Sequence, residues 1–125
     1  MAVILRPLAG TSYFPLGEVV DRLRAEFAFV NVDHREGMRF LARRLAGMSP
    51  RPPQAEIDRT LEALPDAAEV IVADDHRSDV AFVKSFLIPG EPIIVDHCFD
   101  GHVAATRPLL ARIAKALGYE VADGT

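Results

Sequence analysis

Three stretches of this chain run from apolar residues into the pair Asp-His: Asp33-His34, Asp75-His76 and Asp96-His97. They use three of its four histidines. Neutral imidazole and carboxylate are donors for zinc, iron, nickel or copper, and a bound ion turns water into a nucleophile near neutral pH. Asp74 next to the second pair, and Asp100 and His102 beyond the third, add donors of the same kind. The candidate metal set is therefore His34, His76, His97, Asp74, Asp96, Asp100 and His102, with a divalent metal ion as the cofactor they would hold. The spacings match no established zinc motif. Neighbours on a strand point to opposite faces, so each pair would lend one residue to a site and leave the other to cap a helix or hold a turn. The competing account makes all three pairs ordinary turns, because Asp bonds its own backbone at turns and helix starts.

Cys98 follows the third pair. It would act as a nucleophile only if exposed and beside a base in space. Strand alternation sends its side chain away from that of His97, so a buried, inert thiol is expected.

A second pattern is cationic. Arg35, Arg39 and Arg43 recur at i, i+4 and i+8, with Arg44 alongside and Arg51 beyond. Like charges at that spacing cost about 0.2–0.5 kcal/mol per pair unless compensated. Compensation is expected from Glu56, Asp58 or Glu62 on the following helix, and otherwise from an external anion or an acidic protein partner.

The elements that must position these residues follow from apolar periodicity. Residues 3–5 read as a first strand. From Gly17, Val19, Val20, Leu23 and Phe27 repeat at helical spacing. Residues 27–32 are too β-favouring to continue that helix and read as a second strand. Asp33 precedes Glu36 by three, a capping-box start, and Met38, Leu41, Leu45 and Met48 form the stripe of a second helix ending near Gly47. The prolines at 50, 52 and 53 force an extended connector. A third helix carries Ile57, Leu61 and Leu64 inward and stops at Pro65.

Residues 69–73 form a continuous apolar run, the mark of a strand covered on both faces. Residues 80–88 and 93–95 follow as strands, reversing at Pro89-Gly90. A last helix places Leu109, Leu110, Ile113 and Leu117 on one side and ends at Gly118. Thr106 and Pro108 mark its first turn, or Pro108 lies inside it if residues 101–105 are also helical. Residues 119–121 would add a short edge strand.

This order predicts one α+β domain spanning residues 1–125. Its mixed sheet of about five strands would carry helices mainly on one face, as a ferredoxin-like variant, with a three-layer α/β sandwich as the alternative. Strands 69–73 and 93–95, both antiparallel to the strand between them, would run parallel to each other. If a helical crossover made strand 27–32 parallel to them, all three Asp-His pairs would share one edge of the sheet, where ligands bind in open α/β sheets.

Composition narrows the function. The chain has 125 residues, 50% hydrophobic and 26% charged, with a net charge of −4. That is enough chain for a self-sufficient core, and its sign disfavours nucleic acid as a partner. One cysteine allows no internal disulfide, which fits a reducing cytoplasm. No run approaches the ~20 apolar residues of a membrane span, and the short apolar run before Arg6 and Pro7 does not read as a signal peptide. The leading expectation is a cytoplasmic, non-catalytic binding or interaction module, with a homodimer or another protein as partner. The alternatives are a divalent-metal-dependent enzyme, a hydrolase for instance, at the Asp-His edge, and a small-molecule sensor using that edge without metal.

Overall fold

The computed structural model describes residues 2–74, 82–96 and 103–124. Its elements are β1 (Ala2–Pro7), α1 (Leu16–Glu26), β2 (Phe29–Asp33), α2 (His34–Ala46), α3 (Gln54–Ala63), β3 (Ala68–Ala73), β4 (Phe82–Leu87), β5 (Ile93–Asp96), α4 (Val103–Leu117) and β6 (Tyr119–Gly124). This is the predicted order, including the edge strand at the end. The six strands form one sheet in the order β2-β3-β4-β5-β1-β6, with helices packed on it. The α+β class is thus as the periodicity indicates.

Every neighbouring pair of strands is antiparallel, so the sheet is not mixed. The reason lies in the connections. A single helix between two strands returns the chain to its starting end, so β1-α1-β2 and β5-α4-β6 are parallel crossovers that skip intervening strands. They form the split arrangement of ferredoxin-like folds, widened here by the meander β3-β4-β5. Two helices lie between β2 and β3. The second undoes the reversal made by the first, and β3 starts at the end where β2 stops.

Helices α1 and α4 cover one face. Leu16, Val19, Val20 and Leu23 of α1 and Leu109, Ile113 and Leu117 of α4 pack with Leu5, Val70, Val72, Val83, Leu87 and Ile93 in the main core. Phe86 lies between Ser85 and Leu87 and therefore points to the other face, where Phe40 of α2 stacks on it at 4.2 Å between ring centroids. A smaller core joins Leu41 and Ile88 to Ala67, flanked by Met38, Leu45, Leu61 and Leu64. Helices therefore occupy both faces rather than mainly one, and this is the feature the three-layer alternative foresaw.

Several local expectations are met. Asp33 caps α2, its Oδ1 accepting from the Glu36 N–H at 3.1 Å. The Glu36 carboxylate does not complete the capping box but takes Arg39 at 2.9 Å. Met48, expected on the stripe of α2, instead lies past the helix end and is exposed. Pro108 stands inside α4, which begins at Val103. Gly118 adopts φ +68° behind α4, the left-handed cap that glycine takes without a Cβ penalty. At the first loop, the Phe14 N–H donates to the Tyr119 hydroxyl at 2.8 Å, and the two rings stack at 5.8 Å. No helix among the described residues is long and apolar enough to cross a membrane.

Candidate functional site: a groove between α2 and the open sheet

Strand direction separates the Asp-His pairs. β3 and β5 do run parallel to each other, and Asp74 and Asp96 follow or end them at the same end of the sheet. β2 is antiparallel to both, with Asp33 opposite Glu69. Asp74 lies five residue steps along the chain from Glu69, about 17 Å at 3.4 Å per residue. The expected gathering of all three pairs at one edge therefore does not occur. His34 is an exposed first residue of α2 at the far end from Asp74 and Asp96.

The two described aspartates of the set already have partners. Asp74 accepts from Arg112 Nη1 at 2.9 Å with both carboxylate oxygens. Asp96 faces Lys84 at 3.7 Å. His76, His97, Asp100 and His102 lie outside the described residues, as does Cys98. Among the described residues no group of three His, Cys, Asp or Glu side chains could hold a metal ion.

The arginine stripe resolves differently from expectation. Among the described residues, no ion pair joins Arg35, Arg39 or Arg43 to Glu56, Asp58 or Glu62. Arg39 is compensated within its own helix by Glu36. Arg44 meets Glu91 at 3.3 Å, from the turn between β4 and β5. Asp58 instead accepts from Gln54 on α3.

Arg43 and Arg44 form the rim of an open groove of about 780 Å³. Phe40 is its wall, and Phe86 and Ile94 are its floor. The floor follows from register. Phe86 pairs with Ile94, Ile94 with Ile4, and Ile4 with Ala122. Directly paired residues share a face, so these four make one apolar row across four strands, about 14 Å long at the usual strand spacing. Ile4, Ile94 and Ala122 are half-buried, since α2 covers only the Phe86 end of the row.

A charged row runs beside it. Lys84 lies between Glu69 at 3.6 Å and Asp96 at 3.7 Å, and its ammonium lies 5.6 Å from the Phe86 ring centroid. Glu69 is buried, so Lys84 is what offsets its charge there. Among the described residues, the opposite face is closely packed. Between the α1/α4 layer and the sheet the side chains leave about 10 Å³, room for one water at most.

Sequence reasoning missed Phe40, Phe86, Ile94, Lys84 and Glu69. Two signals were present. Phe82, Lys84 and Phe86 alternate with Val83, Ser85 and Leu87, which assigns Lys84 and the two rings to one face. Glu69 opens a run otherwise suited to burial on both faces, and a carboxylate in that place requires a cation. No family model matches this chain, and no curated protein or solved structure matches it either.

Proposed function

We propose that this protein is a non-catalytic binding module whose ligand occupies the groove between α2 and the uncovered part of the sheet. The observation that carries this reading is the floor of buried Phe86 and half-buried Ile94, continued across the sheet by Ile4, beside the Phe40 wall. Its 780 Å³ falls within the range of small-molecule sites, which are concave, mostly apolar and edged by a few polar groups. The nearby ionisable groups Lys84, Glu69 and Asp96 are engaged with one another, which suits a structural role better than proton transfer. The test is a fragment screen read by methyl and amide chemical shifts. Shifts should cluster on Ile4, Ile94 and Phe40, and Ile94→Trp, which fills the groove, should abolish them. A screen in which no fragment moves those signals would refute the reading.

A second reading keeps the metal-dependent enzyme. It is favoured by one observation, the shared end of β3 and β5, where Asp74 lies toward α4 and Asp96 toward the groove on the other face. It would use His76 and His97 with those carboxylates, and without His34. Thermal unfolding of chelator-treated protein with a panel of divalent ions tests it, and no shift with any ion would retire it.

A further inference from the structure

We infer that the ligand of the groove is a small molecule with an apolar body and a single anionic head, a carboxylate or a phosphate. This rests on the binding-module reading above and adds the sign and placement of charge. The chain as a whole is acidic, with a net charge of −4. The α2 side of the groove has the opposite sign. Arg43 is exposed and has no ion-pair partner among the described residues. Among the described residues Arg44 has one ion pair, to a single oxygen of Glu91 at 3.3 Å between half-exposed side chains. A guanidinium carries five donors in a planar fork that matches carboxylate or phosphate, so both residues keep donors for an incoming anion.

Both arginines also lie in the last turn of α2, where cations complement the helix dipole. That role stabilises the helix and leaves their forks open. The rest of the groove does not compete for the head. Lys84 is held between Glu69 of β3 and Asp96 at the end of β5, so its charge is already offset within the sheet. The open guanidinium forks of the groove thus lie on α2, with Asp96, paired to Lys84, at the end of β5 and the apolar row leading away from both toward β1 and β6. An anionic head would settle on Arg43 and Arg44, and its body would lie along Phe86, Ile94 and Ile4. A cationic head would face the two arginines and is excluded by the same geometry.

The experiment compares three probes of equal chain length on the full chain: decanoate, decanol and decyltrimethylammonium. Binding is followed through the methyl signals of Ile4 and Ile94. Decanoate should bind tightest, and the double variant Arg43→Gln/Arg44→Gln should weaken it by about tenfold or more. Decanol binding should be unchanged in that variant. If decanol binds the unmodified protein as tightly as decanoate, the charge assignment is wrong while the groove reading survives. If poly-glutamate displaces decanoate and returns the Ile4 and Ile94 methyls to their ligand-free positions, the arginines serve an acidic chain and the inference fails. If no probe moves those methyls, inference and reading fail together.

Discussion

Gly37 fixes how closely α2 lies on the sheet, and Gly37→Ala tests that contact. In an exposed helix interior the change would stabilise, since alanine is better than glycine by about 0.8–1.0 kcal/mol. Here a Cβ on Gly37 would overlap the Ala68 Cα and N and stand 2.7 Å from the carbonyl carbon of Ala67. All three are backbone atoms, and Ala68 is hydrogen-bonded into the sheet opposite Leu87. None can rotate away, so α2 must lift. To bring the Ala67 carbon alone from 2.7 Å to ordinary contact at 3.4 Å requires most of an ångström.

Overpacking of this kind costs about 1–3 kcal/mol, and loosening the Phe40–Phe86 stack adds about 0.5–1.5 kcal/mol. Set against the propensity gain, the net loss is about 2 kcal/mol. For a chain of this length that lowers the midpoint of thermal unfolding by about 8 °C. Urea denaturation with an unchanged slope and an earlier midpoint would measure the same loss. The control is Gly17→Ala near the start of α1, where a Cβ meets nothing within 4 Å and the variant should gain up to about 1 kcal/mol. If Gly37→Ala were as stable as its parent, or more so, α2 would not pack as described, and the groove it walls would have no basis.

Three further outcomes follow from single contacts. Lys84→Met leaves the buried Glu69 without this cation and should cost about 1–3 kcal/mol; adding Glu69→Gln should recover much of it, and strictly additive losses in the double-mutant cycle would show that the two do not interact. Asp33→Ala removes the α2 cap and should cost about 1 kcal/mol by urea denaturation, with Asp33→Asn close to the parent. Burial raises the Tyr119 hydroxyl above the ordinary phenol value of 10.0, against the opposing hydrogen bond from Phe14. The folded state therefore keeps a proton that the unfolded state sheds, and stability falls as pH rises from 10.0 through the raised folded value. Tyr119→Phe should flatten that fall while costing about 1 kcal/mol at neutral pH through loss of the Phe14 bond, and an alkaline limb as steep as the parent's would contradict the assignment.

Periodicity and punctuation were enough to order the ten elements, because each helix carries a stripe such as Val19, Val20 and Leu23 and each break a proline or a capped end. The Asp33 cap was legible for the same local reason. The groove was not, because it depends on which strands become neighbours. Ile4 and Ile94 are ninety residues apart, and only their pairing continues the groove's floor as one apolar row across the sheet. Gly37 was silent as well. A glycine within a helical stripe reads as a weak point until the backbone of Ala68 is found against it. Arg39 shows the limit of charge patterning, since its partner Glu36 lay three residues away while the expected partners lay on the next helix.

The direction of β2 could have been counted from the chain. Each helix between two strands reverses the path once, so the parity of helices decides whether the strands run alike. One helix follows β1 and one follows β5, and those crossovers are parallel; two follow β2, so β3 returns antiparallel to it. That parity removes His34 from any site shared with Asp74 and Asp96, whatever the chemistry of that site. It also makes the metal reading divisible. A divalent ion at one hundred times its dissociation constant adds about 2.7 kcal/mol to the native state, or about 10 °C at this chain length. Any such rise should survive His34→Ala in full and disappear in His76→Ala. A rise abolished by His34→Ala would mean that β2 and β3 do not pair as Asp33 with Glu69, and the antiparallel order of the sheet would have to be redrawn from that strand outward.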